Sequence, residues 1–224
     1  GDITNRLRGA GGVGTAGSVK IVTTNVSGTQ VGNVNFVVSV SAQNGTTSRY
    51  TLQVVAGGDI VVGSSLSLGG STWSFNNYGY NVDFSAVGNI MVNSSIESVG
   101  FVTYTGSTVY SSGGDITLSA GGYTKVGSSI NVNGGSNTHL GYGSSSSGGS
   151  VSISGVGGVT IAAGITALGS GGMNGAITVS SGNVVATSGG GSGVNDGQVS
   201  GVLQGGSFTK SGVGVFVIKG SNGY

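Results

Sequence analysis

A short strand motif that follows a glycine recurs along this chain and constrains its fold more than any other feature. The motif is Gly, then Asp, Asn or Ser, then Ile or Val, then any residue, then a further Val, Ile or Leu. Clear copies begin at Gly58, Gly88, Gly114 and Gly149, and weaker copies begin at Gly17, Gly32 and Gly175. Self-similarity at intervals of about 20–50 residues is typical of repeat architectures. Because each repeat here is rich in strand-forming residues, the sequence predicts a stack of β coils.

The composition favours a folded all-β chain over collagen or disorder. Of the 224 residues, 50 are glycine, none is proline and none is cysteine. The lack of proline and of a Gly-x-y period excludes a collagen triple helix. A hydrophobic share of 36%, with regularly spaced Val and Ile, argues against a disordered linker. Apolar residues alternate with a period of two, as in strands, and show no sustained helical period.

Two neighbouring segments show the predicted coil most clearly. Residues 113–135 contain strand patterns at 115–119, 123–126 and 129–132, and residues 148–172 contain them at 151–154, 159–162 and 165–168. Three short strands per turn, separated by glycine, are the layout of a parallel β-helix. The residues expected to point into the core are Ile116, Leu118, Val151 and Ile153, with Thr117 and Ser152 pointing to solvent.

The spacing of the motif predicts the size of the solenoid. The anchor residues Ile60, Ile90, Ile116, Val151 and Ile177 are 30, 26, 35 and 26 residues apart. At roughly 25–30 residues per coil, residues 1–224 form one β-helix domain of about seven to nine coils, roughly 35–45 Å long. Residues 1–5 begin on a strand pattern, so no capping helix is expected, and both open ends are expected to meet more β-structure.

Two segments interrupt the pattern. Residues 34–55 alternate strongly around Asn44-Gly45, which predicts either a β-hairpin beside the solenoid or two strands joined by a longer outward loop. Residues 73–84 carry five aromatic residues, which indicates an insertion between coils. Their side chains form either a contact surface for sugars and hydrophobic partners or a cover folded over the solenoid. The residues of this candidate contact surface are Trp73, Phe75, Tyr78, Tyr80 and Phe84.

Charged residues are scarce, which excludes several classes of function. Seven basic and six acidic residues give a net charge of +1, without the basic patch of a nucleic-acid-binding or membrane-surface protein. No apolar stretch is long enough to span a membrane. The lack of cysteine excludes disulfides and thiolate metal sites. The sequence predicts no metal, no cofactor and no catalytic residue.

The acidic residues support two alternatives only weakly. Calcium-binding repeats need tandem Gly-Gly-x-Gly-x-Asp units, whereas Asp59 and Asp115 stand in isolated copies and are expected to cap turns. A polysaccharide-active β-helix enzyme needs clustered carboxylates. Stacked coils are expected to bring Asp59 near Asp115, or Asp83 near Glu97, as the candidate carboxylate pair. The lone His139 has no catalytic partners, and Thr103-Tyr104-Thr105 is too isolated for an ice-binding face.

The motif resembles the coils of filamentous-haemagglutinin-like adhesins and other two-partner-secreted exoproteins, most clearly at residues 113–135. Residues 206–222 look like the autotransporter-associated β-strand repeat, with Phe208, Phe216 and Ile218 at its large apolar positions. The motifs cover about half of the chain. The resemblance implies a right-handed parallel β-helix in a secreted or surface protein of a Gram-negative bacterium, of which this chain is a passenger segment.

The leading hypothesis is a non-enzymatic adhesive passenger segment of a large secreted adhesin. Its expected partners are cell surfaces, polysaccharides or abiotic surfaces, with neither nucleic acid nor membrane insertion involved. The alternative is a self-stacking subunit of an extracellular filament or sheath, whose partner is another copy of the chain. A polysaccharide-active enzyme is the weaker third hypothesis.

Overall fold

Four parallel sheets run along the described part of the chain, and successive strands step from one sheet to the next. The structure is a computed structural model. It describes residues 2–8, 17–24, 31–44, 48–70, 76–101, 110–135, 145–169, 173–181, 197–199, 203–204, 207–211 and 216–218. One passage through the sheets is called a coil below.

The chain begins with helix α1 (Asp2–Arg8) and continues with short strands. The first coil contains β1 (Val19–Val22), β2 (Val34–Phe36) and β3 (Val40–Asn44). The second contains β4 (Thr51–Ala56), β5 (Ile60–Val62), β6 (Leu66–Gly70) and β7 (Asn76–Tyr78). The third contains β8 (Asn81–Ala86), β9 (Ile90–Val92), β10 (Ile96–Glu97) and β11 (Tyr110–Ser112).

The following coil contains β12 (Ile116–Ala120), β13 (Tyr123–Val126), β14 (Ile130–Asn131) and β15 (Ser145–Ser147). It is followed by β16 (Val151–Gly155), β17 (Gly158–Ile161) and β18 (Ile165–Thr166). The remaining strands are β19 (Ala176–Ser181), β20 (Gly197–Val199), β21 (Leu203–Gln204), β22 (Ser207–Ser211) and β23 (Phe216–Ile218).

These strands form a parallel β-solenoid, which confirms the predicted fold class. Sheet A has the order β1-β4-β8-β12-β16-β19-β22, and sheet B has the order β2-β5-β9-β13-β17-β20-β23. Sheet C has the order β21-β18-β14-β10-β6-β3, and sheet D consists of β15-β11-β7. The total of seven to nine coils and the right-handed sense stay predictions.

The core consists of apolar ladders that run across the coils. In sheet A, one ladder joins Leu52, Val82, Ile116, Val151 and Ile177, all of them buried. Alternation sends every second residue of each strand into the core, and burial of one such side chain contributes roughly 1.5–3 kcal/mol. The inward residues predicted for strands β12 and β16 are confirmed.

The five predicted anchor residues do not occupy one position in the coil. Ile60 and Ile90 pair with each other in sheet B, and Ile90 continues to Thr124, whereas Ile116 and Val151 pair in sheet A. The prediction that all copies of the motif occupy one equivalent position in the coil is therefore wrong. The motif encodes a bend followed by a strand, and the solenoid uses such a bend at two corners. Residues at equivalent positions in neighbouring coils differ in spacing, for example 26 residues between Asn33 and Asp59 and 35 between Asp115 and Ser150.

The hairpin alternative for residues 34–55 is wrong. Strand β3 pairs in parallel with β6 in sheet C, whereas β4 pairs in parallel with β1 and β8 in sheet A. The side-chain amide of Asn44 is buried, and its Nδ2 donates a hydrogen bond of 2.6 Å to the Ser48 carbonyl. Asn44 therefore lies at a corner between two sheets, whereas the longer outward loop of the other alternative falls partly on residues 45–47, outside the described residues.

The expectation of an uncapped N-terminal end is also wrong, because residues 2–8 form a helix. Ile3 and Leu7 are four residues apart and share one face of α1. Leu7 is fully buried in the core, and Ile3 packs against it. Strands β1, β2 and β3 end their sheets on this side. Helix α1 thus covers the apolar end of the solenoid.

Candidate functional site

The polar residues of the motif hold neighbouring coils together. At the corner between sheets A and B, Oδ1 of Asn33 accepts a hydrogen bond of 2.8 Å from the Asp59 N–H. Oδ1 of Asp59 accepts one of 2.7 Å from the Asn89 N–H, and Oδ1 of Asn89 accepts one of 2.9 Å from the Tyr123 N–H. These side chains therefore cap the backbone of the next coil rather than their own turn.

A second ladder of the same kind lies where the chain enters sheet A. Oδ1 of Asn81 accepts a hydrogen bond of 3.0 Å from the Asp115 N–H, and Oδ1 of Asp115 accepts one of 2.8 Å from the Ser150 N–H. Asp59 and Asp115 consequently belong to different corners. The predicted approach of these two carboxylates is wrong, because it rested on aligning the two motif copies at one position.

The other predicted carboxylate pair is wrong as well. Asp83 lies in strand β8 of sheet A, where Oδ2 accepts a hydrogen bond of 2.8 Å from the Gln53 side chain. Glu97 lies in strand β10 of sheet C. In the part of the chain that the structure describes, no three His, Cys, Asp or Glu side chains are grouped so as to bind a metal ion.

Two of the five aromatic residues predicted as a contact surface belong to the core. Phe84 is fully buried and stacks on Phe36, with ring centroids 5.6 Å apart and planes 14° apart. Its strand, β8, pairs regularly with β4 and β12, so residues 81–86 are not an insertion. The physical reason is the period of two, which directs Val82 and Phe84 inward together. Trp73 and Phe75 lie outside the described residues.

Tyr80 is the second of the five predicted contact residues that lies in the core. Its ring is fully buried, and its hydroxyl donates a hydrogen bond of 2.9 Å to the Leu7 carbonyl. Burial, together with the nearby Tyr50, raises the pKa of Tyr80 to about 12, although Arg8 acts in the opposite direction. Tyr80 therefore ties helix α1 to the solenoid and presents no surface to a partner.

Tyr78 remains at the surface, where it contacts Arg49. The Arg49 guanidinium lies over the Tyr78 ring, 5.3 Å from its centroid. Nη2 of Arg49 donates a hydrogen bond of 2.7 Å to Oγ of Ser112, and Nη1 lies 3.6 Å from Oδ2 of Asp115. Arg49 precedes the second coil, whereas Ser112 and Asp115 lie more than 60 residues later. One side chain thus bridges several coils on the outside of the solenoid.

Sheet D provides the surface next to this contact. Tyr110 pairs with Asn76 and Ser145, and Ser112 pairs with Tyr78 and Ser147. Because Tyr110 and Ser112 are two residues apart on one strand, they share a face of the sheet. The Tyr110 side chain is 54% exposed. We call the surface formed by Arg49, Tyr78, Tyr110, Asp115, Ser145 and Ser147, with the buried Ser112 at its base, the sheet D face.

Sequence reasoning found only Tyr78 of this surface as a contact residue. Tyr110 lies outside every motif, and its only signal is its position four residues before Gly114-Asp115. Arg49 has no signal of its own, since its partners become neighbours only through the register of the coils. The positive charge of Arg49 faces the negative charge of Asp115, so this pair adds no net charge to the surface.

Comparison with known proteins identifies no relative. The chain matches no protein family, no curated protein and no solved structure. In the described residues, no helix is of a length and apolarity that would carry it across a membrane. The function of the chain is therefore inferred from its own geometry.

Proposed function

We propose that this chain is a non-enzymatic extracellular solenoid, a passenger segment of a large secreted bacterial adhesin, which presents a lateral contact surface. The observation that carries the proposal is the sheet D face. There, the exposed Tyr110, Tyr78 and the serines lie on paired strands, and the guanidinium of Arg49, which precedes β4, lies over the Tyr78 ring. Aromatic side chains with a polar handle are favoured at contact surfaces because they offer a large area and a hydrogen-bonding group.

The scaffold beneath this surface suits a mechanical role. Apolar ladders and the capping side chains of the motif join neighbouring coils. A coil therefore cannot move independently of the next one. Ser, Thr and Asn on the outer positions keep the surface polar, although only 6% of the residues are charged. The motif at residues 113–135 and the repeat at 206–222 resemble secreted adhesins and autotransporters, and this resemblance supports secretion to the cell surface.

A self-stacking filament subunit is the alternative. End-to-end stacking requires accessible strand edges and an accessible core at both ends of the unit. Helix α1 buries Leu7 over the core at the N-terminal end of the described coils. A second copy stacking there would have to displace this helix, so the geometry favours the adhesive segment.

A polysaccharide-active enzyme is the weaker alternative. The carboxylate pairs that the sequence offers for it lie at different corners or in different sheets. Asp59 and Asp115 each accept a backbone hydrogen bond that joins two coils, which already gives these side chains a structural role.

Bead adhesion and sedimentation of the purified chain test the proposal. Beads coated with residues 1–224 are expected to adhere to cells or polysaccharide films under flow more strongly than albumin-coated beads. The soluble chain is expected to sediment as a monomer at all concentrations tested. Concentration-dependent polymers would favour the filament, and cleavage of a polysaccharide that is lost in Asp59→Asn and Asp115→Asn would favour the enzyme. Adhesion no stronger than that of albumin overturns the proposal.

A further inference from the structure

We infer that the sheet D face binds a neutral polysaccharide, with one sugar ring stacked on the exposed Tyr110 and the next against the Arg49–Tyr78 pair. This inference rests on the proposed function, because it names the ligand class of the same contact surface. It is carried by three properties of the face: the placement of its two tyrosines, the internal pairing of its charges, and the serine hydroxyls on the neighbouring strand β15.

The two tyrosines are diagonal neighbours on adjacent strands. Tyr78 stands opposite Ser112 in the register of β7 and β11, and Tyr110 is two residues before Ser112. With strands about 4.8 Å apart and a rise of about 3.3 Å per residue, the Cα atoms of two such residues are roughly 8 Å apart. The C–H faces of sugar rings are apolar and pack on aromatic rings, whereas their hydroxyls point outward to hydrogen-bonding groups. Two tyrosines so placed on one face suit contacts with neighbouring residues of one extended sugar chain.

The charges of the face select against an acidic ligand. The Arg49 guanidinium already contacts the Tyr78 ring, Oγ of Ser112, the Gly113 carbonyl and the Asp115 carboxylate. An anionic sugar would have to compete with Asp115 for Arg49 and would be repelled by that carboxylate, whose side chain is 53% exposed. A neutral hydroxyl meets no such repulsion, and it can donate a hydrogen bond to the carboxylate.

Hydroxyl groups and a rigid backing complete the face. Ser145 flanks Tyr110 across the β11–β15 pair, and Ser147 lies two residues further on the same strand. The hydroxyl of Ser147 lies 3.0 Å from that of Ser112, which is buried and also bonded to Arg49, so Ser145 and Ser147 supply the outer hydroxyls. The opposite side of the sheet is closed by the buried Ser111 and Ser146. The strands of sheet D are spaced at about 4.8 Å, so the three of them offer a platform roughly 10 Å wide.

Affinity electrophoresis in gels that contain soluble polysaccharides tests the inference on the chain of residues 1–224. The neutral probes are dextran, xyloglucan and mixed-linkage β-glucan, and the acidic probes are alginate and polygalacturonate. Retardation by at least one neutral probe is expected, with none by the acidic probes. Tyr110→Ala is expected to weaken the association about five- to tenfold, the loss typical of one aromatic contact.

Tyr123→Ala is the matched control, because Tyr123 is 42% exposed and lies in strand β13 of sheet B. It is expected to bind like the wild type, and the circular dichroism spectra of both variants are expected to match that of the wild type. Arg49→Lys keeps the charge but loses the planar contact with Tyr78, so it is expected to weaken binding while neutral probes stay preferred.

The inference is overturned if no neutral probe retards the chain, if only acidic probes do, or if Tyr110→Ala and Tyr123→Ala weaken binding equally. The bead assay separates this failure from that of the proposed function. If the beads adhere but no polysaccharide retards the chain, the proposed adhesive function is retained and only its assigned ligand is wrong. If neither bead adhesion nor polysaccharide binding is observed, the proposed adhesive function is wrong as well.

Discussion

Oδ1 of Asp59 accepts a hydrogen bond of 2.7 Å from the backbone N–H of Asn89, which occupies the equivalent corner one coil later. The bond needs a short side chain with an oxygen and does not need a negative charge. Asn33 makes the same contact to Asp59, and Oγ of Ser18 accepts a bond of 3.0 Å from the Thr51 N–H at the other corner. This shared requirement explains why Asp, Asn and Ser alternate in the motif.

Substitution of Asp59 tests this account of the motif. Asp59→Ala removes the acceptor and leaves the Asn89 N–H without it, so the free energy of unfolding is expected to fall by about 1–2 kcal/mol. Asp59→Asn keeps an oxygen at the same reach and is expected to stay within about 0.5 kcal/mol of the wild type. Urea denaturation followed by circular dichroism measures both changes. Equal losses in the two variants would show that the charge, and not the acceptor, matters.

The glycines at the bends of the chain differ in how closely the neighbouring coil approaches them. A Cβ atom added at Gly114 would overlap the Tyr80 carbonyl, whereas one added at Gly127 would lie 3.4 Å from the nearest atom, the Val92 carbonyl oxygen. Gly114→Ala must therefore move backbone and is expected to cost roughly 1–3 kcal/mol or more. Gly127→Ala is expected to be neutral or to stabilise by about 0.4–1 kcal/mol, because alanine restricts the unfolded chain. Thermal unfolding compares them, and equal effects would contradict the close approach at Gly114.

Substitution of Phe84 tests whether this aromatic residue packs in the core or forms a contact surface. Phe84→Ala removes the ring stacked on Phe36 and is expected to lower the free energy of unfolding by about 3–5 kcal/mol. Tyr110→Ala, at an exposed position, is expected to change it by about 0.5 kcal/mol or less. Urea denaturation of the two variants measures the difference. An unchanged stability in Phe84→Ala would contradict the buried position.

Local patterns in the sequence predicted the strands, because alternation is a local property. It placed Leu118 and Ile153 inward and Thr117 outward correctly. The same alternation through Val82 and Phe84 indicates a regular strand, but the density of aromatic residues suggested an insertion instead. The spacing of Ile3 and Leu7 is likewise a helical signal, which the resemblance of residues 1–5 to the strand motif concealed.

The sheet D face depends on register, which no local pattern contains. Arg49, Tyr78 and Tyr110 come from three different parts of the chain, and coils of unequal length bring them together. The motif copies at Ile90 and Ile116 look equivalent but lie in sheets B and A. Any error of one corner in such an alignment moves a surface residue to another side of the solenoid. The pairing of strands was therefore needed to find this surface.

Helix α1 is expected to keep the end of the solenoid from associating. Leu7→Ser removes a buried apolar side chain and places a hydroxyl in the core, so α1 is expected to detach and expose the ends of sheets A, B and C. Sedimentation velocity is expected to show association that increases with concentration. Asn5→Ala, at an exposed position of the same helix, is the control and is expected to remain monomeric. A monomeric Leu7→Ser variant would show that the helix has no such role.

Tyr80 is expected to make the stability of the fold depend on pH above 10. Its folded-state pKa is raised from 10 to about 12, so as the pH rises the unfolded chain loses this proton before the folded chain does. The stability due to Tyr80 is thus full below pH 10 and is lost as the pH approaches 12, by on the order of 2 kcal/mol. Tyr80→Phe cannot titrate, and at neutral pH it lacks the hydrogen bond to Leu7, worth about 1 kcal/mol. Urea unfolding between pH 7 and pH 12 should therefore show the wild type more stable than Tyr80→Phe at neutral pH and losing that advantage above pH 10. Parallel curves for the two proteins would mean that the Tyr80 hydroxyl is not buried in the folded chain.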